Sequence, residues 1–176
     1  METTTETGMA MAEKAQVSLP SDRQVKVTRT FRAPKELVYR AHTDPALVKK
    51  WMLGPPGWSM PVCEMDVRVG GNYTWRWKSD EDGKEFGFFG TFREVDPPHC
   101  MVHAETFDPG DLGGQMGEAL VTTTFTESAG VTTLTTIIEY ASKDIRDAAV
   151  ATGMADGMEM SYQRLDATFA ASAGRA

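Results

Sequence analysis

Cysteine is nearly absent: the chain holds Cys63 and Cys100 and no others. A small secreted scaffold built on disulfides carries a denser set, so this chain must be held by an apolar core. Both cysteines fall in strand-like stretches, where a buried free thiol is the plain reading. Histidine is just as scarce, at His42, His99 and His103, and no ligand spacing links them, so no metal is expected. No run of Lys and Arg offsets the net charge of −7. Such a chain repels phosphate backbones and anionic lipid, which argues against nucleic acid and membrane surfaces as partners. No segment approaches the roughly 20 apolar residues of a bilayer span. The opening METTTETGMAMAEKAQVSLPSD lacks the basic stretch and apolar run of a signal peptide, so a cytoplasmic location is expected. A dinucleotide fingerprint, a nucleophile elbow and a Ser-His-Asp order are missing too, and no cofactor is implied.

What is present fits one domain: 176 residues, 41% hydrophobic and 24% charged. Residues 1–22 are polar and rich in Thr and Glu, and read as a disordered tail ahead of a single domain over 23–172. Val25, Val27 and Arg29 alternate with polar residues and lead to Phe31, which predicts a strand. Pro34 then opens a short helix, and Asp44-Pro45 caps and starts another that runs to Trp51. Gly54-Pro55-Pro56-Gly57 ends it.

From there the period switches to two. Strands are predicted over Val62–Val69, Asn72–Lys78, Glu85–Val95 and His99–Phe107. A last hairpin joins Glu118–Glu127 to Val131–Ala141 about Ser128-Ala129-Gly130. Gly70-Gly71 and Asp82-Gly83 supply tight turns, and Pro97-Pro98 ends a strand because proline cannot donate to a ladder. That makes about seven strands in an antiparallel meander, an α+β arrangement. The C-terminal end is helical, with Ser142 as a cap. After Gly153, the residues Met154, Met158, Tyr162, Leu165 and Phe169 recur on one face.

The order of strand, short helix pair, six strands and long helix resembles the SRPBCC superfamily, also called START-like or birch-pollen-allergen-like. Within it the chain is similar to the branch named for the C-terminal domain of the activator of heat-shock-protein-90 ATPase. FRAPKELVYRAHTDPALVKKWMLGPPGW at 31–58, CEMDVRVGGNY at 63–73, GTFREVDPPHCMVH at 90–103 and TGMADGMEMSYQRLDATFA at 152–170 carry the resemblance. It implies a helix-grip fold, a curved sheet wrapped on the long helix around a cavity. It also implies a ligand of the lipid, hormone or polyketide-like kind, and in some members a cyclisation. The full activator has another domain ahead of this one. Here only residues 1–22 precede the first predicted strand, which counts against a true co-chaperone role and leaves a co-chaperone-like interaction domain as an alternative.

The ligand-binding candidates are Trp51, Tyr73, Trp75, Trp77, Phe88, His103, Met154, Met158 and Tyr162. Tyr73, Trp75 and Trp77 share a strand face, and rings serve a packed core and a pocket equally well. Gly153, Gly157 and Ser161 make a line of small residues on the long helix, for close approach to the sheet or room for a ligand. His103 and Glu105 point the same way along one strand; a His beside a carboxylate is a general-base pattern as well as a surface pair. His103 and Tyr162 are therefore the catalytic candidates. Glu64, Asp66 and Arg68 read as a solvated face, and the glycine-rich 108–117 stretch as a loop or a lid. Three functions are open. The first is non-enzymatic binding of a small hydrophobic or amphipathic molecule. The second is cyclase- or dehydratase-type chemistry on a polyketide-like ligand. The third is a protein-interaction module, which would need an exposed apolar patch that the sequence does not show.

Overall fold

The computed structural model describes residues 14–110 and 117–173. In chain order its elements are β1 (Gln16–Ser18), β2 (Gln24–Phe31), α1 (Lys35–Thr43), α2 (Pro45–Trp51), β3 (Trp58–Met65) and β4 (Asn72–Ser79). There follow β5 (Glu85–Asp96), β6 (Cys100–Asp108), β7 (Glu118–Ser128), β8 (Val131–Glu139), α3 (Lys143–Ala151) and α4 (Met154–Ala173). The strands form one antiparallel sheet in the order β1-β2-β8-β7-β6-β5-β4-β3. The α+β helix-grip class expected from the sequence is the one observed.

Local chemistry explains the element ends. Pro34 precedes α1 in extended conformation. The Asp44 carboxylate accepts from Ala46 N–H at 3.0 Å and Pro45 fills the first position of α2. Ser142 Oγ accepts from Ile145 N–H at 3.2 Å at the start of α3. Gly153, at φ 77°, breaks the C-terminal helical stretch into α3 and α4, a conformation that favours glycine.

Three details differ from the sequence reading. The sheet has eight strands, not about seven. The additional one, β1, lies inside the stretch read as a tail and is held by β2, with Val17 opposite Val27; residues 1–13 lie outside the described residues. β3 begins earlier and ends earlier than Val62–Val69, because a bulge between Ser59 and Val62 lets pairing continue past Pro61. Finally, the line Gly153, Gly157 and Ser161 does not meet the sheet. A Cβ on Gly157 would find Pro55 Cδ at 3.8 Å, and Ser161 Oγ accepts from Gly54 N–H at 2.8 Å. The small residues seat α4 on the turn after α2.

The inner face of the sheet carries the core. On the β2–β8–β7 half, Phe31, Leu134 and Phe125 are buried with Tyr162 and Leu165 of α4 and with Val38 and Val48 of the helix pair. Arg29 is also on this face and is 3% exposed. Its guanidinium donates to Glu159 at 3.2 Å and to Asp166 at 2.6 Å, both on α4, and lies 4.9 Å from the centre of the Phe31 ring. Glu159 also accepts from Ala15 N–H at 2.9 Å, so one carboxylate ties α4 to β2 and to the start of β1.

His42 of α1 is enclosed by Trp51 and Phe125, with ring centres at 4.7 and 5.4 Å. Its Nδ1 lies 2.7 Å from the Val38 carbonyl and so carries the proton, while Nε2 has no partner. Burial lowers its pKa from 6.5 to about 4, despite the hydrogen bond to Val38. A histidine depressed on folding gives stability that is present above pH 6.5 and is lost as pH falls towards 4. The interval corresponds to a term on the order of 3 kcal/mol. Urea unfolding from pH 7 to 4.5 should therefore show a steeper acid loss in the wild type than in His42→Leu. Equal slopes would contradict the assignment.

Candidate functional site

The β3–β6 half of the inner face is built differently. β4 alternates Tyr73, Trp75 and Trp77 inward with Thr74 and Arg76 outward. Register places Phe88 of β5 and Phe107 of β6 in the row of Trp75, and Phe86 in the row of Trp77. The rings interlock: Trp77 stacks on Phe86 at 5.4 Å, Phe88 meets Phe107 at 5.2 Å, and Trp58 of β3 meets Phe86 edge-on at 5.3 Å. Trp77 is fixed further by its Nε1–H, which donates to Met52 O at 2.8 Å. Trp58, Phe86, Phe88 and Phe107 are only half-buried. Met154 and Met158 of α4 are likewise partly covered and pack against the core. The result is an aromatic wall on the inner side of the sheet.

One end of the wall is polar. His103 of β6 is buried among Tyr73, Trp75 and Phe92, at ring-centre distances of 5.1, 5.9 and 6.0 Å. Its Nε2 lies 3.4 Å from a Glu105 carboxylate oxygen. His103 Nδ1 and Trp75 Nε1 are buried without hydrogen-bond partners. Tyr140 stands nearby; burial, reinforced by the charge of Glu105, raises its phenol above the usual range. Its hydroxyl donates to Met154 Sδ at 3.5 Å.

Tyr73 crosses β5 beneath this end. Its hydroxyl donates to Ala104 O at 2.9 Å on β6. The crossing needs Gly90: a Cβ there would lie 1.9 Å from Ala104 O and 3.2 Å from the Tyr73 hydroxyl. The β5–β6 ladder pairs Phe89 with Thr106 and Phe92 with His103, and opens between those pairs. Burial raises the Tyr73 phenol far above its ordinary value, with Glu105 and Glu118 adding to the effect.

The sequence candidates therefore separate into groups. Trp75, Trp77, Phe88 and His103 come together on the wall and its polar end, with Met154 and Met158 on the helix side; Trp75, Trp77 and His103 are themselves buried there, and Phe88 is partly exposed. Trp51, Tyr73 and Tyr162 are buried in the core. Trp51 donates to Ala41 O at 2.9 Å and lies 5.9 Å from the Tyr162 ring. Burial pushes the Tyr162 phenol up to about 12, against a hydrogen bond with Thr136. Trp58, Phe86, Phe107 and Tyr140 stand on or beside the same wall and were not among the sequence candidates; the inward alternation His103, Glu105, Phe107 was the signal for Phe107. Glu64, Asp66 and Arg68 are exposed, with Arg68 on Asp66 at 2.8 Å. Most of the loop read as a lid, residues 111–116, lies outside the described residues. Among the described residues no group of three or more metal-ligating side chains clusters.

Two hollows open on the outer face of the sheet. One, with a volume of ≈ 510 Å³, is bordered by Thr74, Phe89, Thr91, Thr106 and Glu118; the other, of ≈ 300 Å³, by Phe89, Phe107 and Asp108. Both are shallow and solvent-open. Among the described residues no helix is long and apolar enough to cross a membrane.

The profile of the Activator of Hsp90 ATPase homolog 1-like proteins matches residues 32–170. No curated protein matches the chain. Solved structures do. A protein from Rhodobacter sphaeroides is 30% identical, covering 90% of this chain and 99% of its own, with a TM-score of 0.80. Protein Ms6760 from Mycobacterium smegmatis is 24% identical over 92% of this chain and 99% of its own, with a TM-score of 0.77. Protein CV1439 from Chromobacterium violaceum is 28% identical over 84% and 97%, with a TM-score of 0.69. The chain belongs to the family of Activator of Hsp90 ATPase homolog 1-like proteins, within the helix-grip architecture that its sheet and α4 display.

Proposed function

We propose that this protein binds a small hydrophobic or amphipathic molecule on the inner aromatic wall, without reacting it. One observation carries the reading: Trp58, Phe86, Phe88 and Phe107 stay partly exposed on the core side of the sheet, while the other inner half is closed by Phe31, Tyr162 and Leu165. Rings of this kind present large apolar area with few polar groups, which is the usual lining of a small-molecule site. Trp75, Trp77, Met154 and Met158 adapt to the apolar body of the ligand, and methionine tolerates varied shapes. The free thiols of Cys63 and Cys100 accord with a cytoplasmic setting.

Amide NMR titration with fatty acids, flavonoids and polyketide-like aromatics tests this. Saturable shifts are expected at Trp77, Phe88, Phe107 and Met158. Shifts confined to Phe89, Thr91 and Thr106 would move the site to the outer hollow, and no shifts with any compound would remove the reading.

Catalysis is the second reading, and the inward position of His103 beside Glu105 supports it. Mass spectrometry of a bound compound after incubation separates the two. An unchanged compound leaves binding alone; a product made by the wild type but not by His103→Phe establishes chemistry.

A further inference from the structure

The charges on the inner face point to the class of ligand, on the premise that the wall is the binding site. Strand alternation and register put four ionisable side chains with charge-bearing heads on that face: Arg29 of β2, His103 and Glu105 of β6, and Glu127 of β7, the last exposed at the α1 end, where it accepts from Lys35 N–H at 2.8 Å. Arg29 is held by Glu159 and Asp166 under α4. The other cations near the helix side are committed or exposed: Arg164 donates to Gly54 O, Arg146 to Ser21 O, and Lys49 is exposed on α2. At the wall itself Glu105 is the fixed charge.

Glu105 also has room. Register sets it opposite Ala119 of β7 and beside the opening in the β5–β6 ladder, and its side chain is 19% exposed although it lies on the core side. Its hydrogen-bond partner among the described residues is His103 Nε2, at 3.4 Å. A carboxylate has about four acceptor positions, so that one long contact leaves most of them uncommitted. When the His103 proton sits on Nε2, facing Glu105, the buried and unpartnered Nδ1 is a further acceptor. Against these stands one unpartnered donor, Trp75 Nε1–H. The polar end therefore accepts more than it donates. Phe107 is the next inward residue on β6 and Phe88 lies opposite it. Aromatic faces attract cations through the ring quadrupole, most strongly where water is excluded.

We infer that the ligand is a hydrophobic organic cation, an amine whose ammonium meets Glu105 at the edge of the Phe88–Phe107 ring pair while its apolar body lies on Trp77 and Met158. A carboxylate-headed molecule such as a fatty acid is repelled by the same group. The test is a calorimetric titration with three compounds of one skeleton: phenylbutylamine, phenylbutanol and phenylbutyrate. The amine should bind about tenfold or more tighter than the alcohol, and the carboxylate weakest. In Glu105→Gln the amine should lose that advantage while the alcohol keeps its wild-type affinity; an unchanged amide spectrum confirms the fold. Equal binding of amine and alcohol, tightest binding of the carboxylate, or an advantage that survives Glu105→Gln would overturn the cation inference and leave the apolar site standing. If none of the three bound, the inner-wall reading would fall together with it.

Discussion

Arg29→Ala should destabilise the protein by about 3–5 kcal/mol, the largest loss expected from any single polar substitution here. The guanidinium sits under α4 at 3% exposure, and two carboxylates are oriented on it at 2.6 and 3.2 Å. Removing it leaves Glu159 half-desolvated beside Phe31 and Tyr162 without a counter-charge. Glu159 records the attraction: burial raises its pKa, but the hydrogen bonds from Arg29 and Ala15 outweigh burial and hold it below the ordinary carboxylate value. A depressed carboxylate contributes stability that is full above its unfolded pKa and fades as pH falls through the folded one. The wild-type advantage over Arg29→Ala should thus shrink in acid. Replacing all three members by apolar residues of similar size should be far less damaging than Arg29→Ala, because no charge is then stranded. Urea midpoints of the single and triple variants, at pH 7 and pH 4, check each part. A loss below about 1 kcal/mol for Arg29→Ala at pH 7 would show that the pair is solvated and that apolar contacts alone hold the helix.

Gly90→Ala comes next, with an expected loss of about 3 kcal/mol. The added methyl would lie 1.9 Å from Ala104 O and 2.9 Å from Ala104 C, both backbone atoms that cannot step aside. Moving them opens β5 from β6 and removes the acceptor of the Tyr73 hydroxyl. Tyr73→Phe by itself should lose about 1–2 kcal/mol, because it strands a buried carbonyl. The double variant should be less damaging than the sum, since both changes break the same crossing. Gly157→Ala is the contrast. Its added methyl finds Pro55 Cδ at an ordinary 3.8 Å within a helix, so a gain of about 0.5–1 kcal/mol is expected. Thermal unfolding of the four variants distinguishes strand crossing from simple glycine content.

Much of this was legible before any coordinates. Period-two patterning located β2 and β4 through β8, and the capping residues Asp44 and Ser142 located the helix starts. The apolar series from Met154 to Phe169 identified the gripping face of α4. What escaped depended on partners distant in sequence. β1 is three residues long and polar at its ends, so nothing local announces it; β2 makes it a strand. Gly157 and Ser161 looked like a seat for the sheet, but their neighbours are Gly54 and Pro55, more than a hundred residues earlier. In the site, the inward alternation of Tyr73, Trp75 and Trp77 was plain, yet alternation could not say which rings are closed over. Tyr73 is closed over because Gly90 lets it cross β5, and Trp77 stands at the wall because Met52 O takes its N–H. Glu105 was visible beside His103 in the sequence. The sequence could not show that Arg29, the inner-face cation of β2, is neutralised from α4.

The sheet does not close into a barrel, so β1 and β3 are its two outer borders. Unpaired backbone at such a border can recruit a strand from another molecule and seed aggregation. Here both borders are poor templates: β1 offers three residues, Gln16–Ser18, and β3 is interrupted between Ser59 and Val62, where Pro61 is exposed and has no N–H to give. The same bulge that lengthens β3 within the molecule spoils its outward row of donors. Neither border therefore presents the long, straight row of free backbone donors that edge-to-edge growth of fibrils requires.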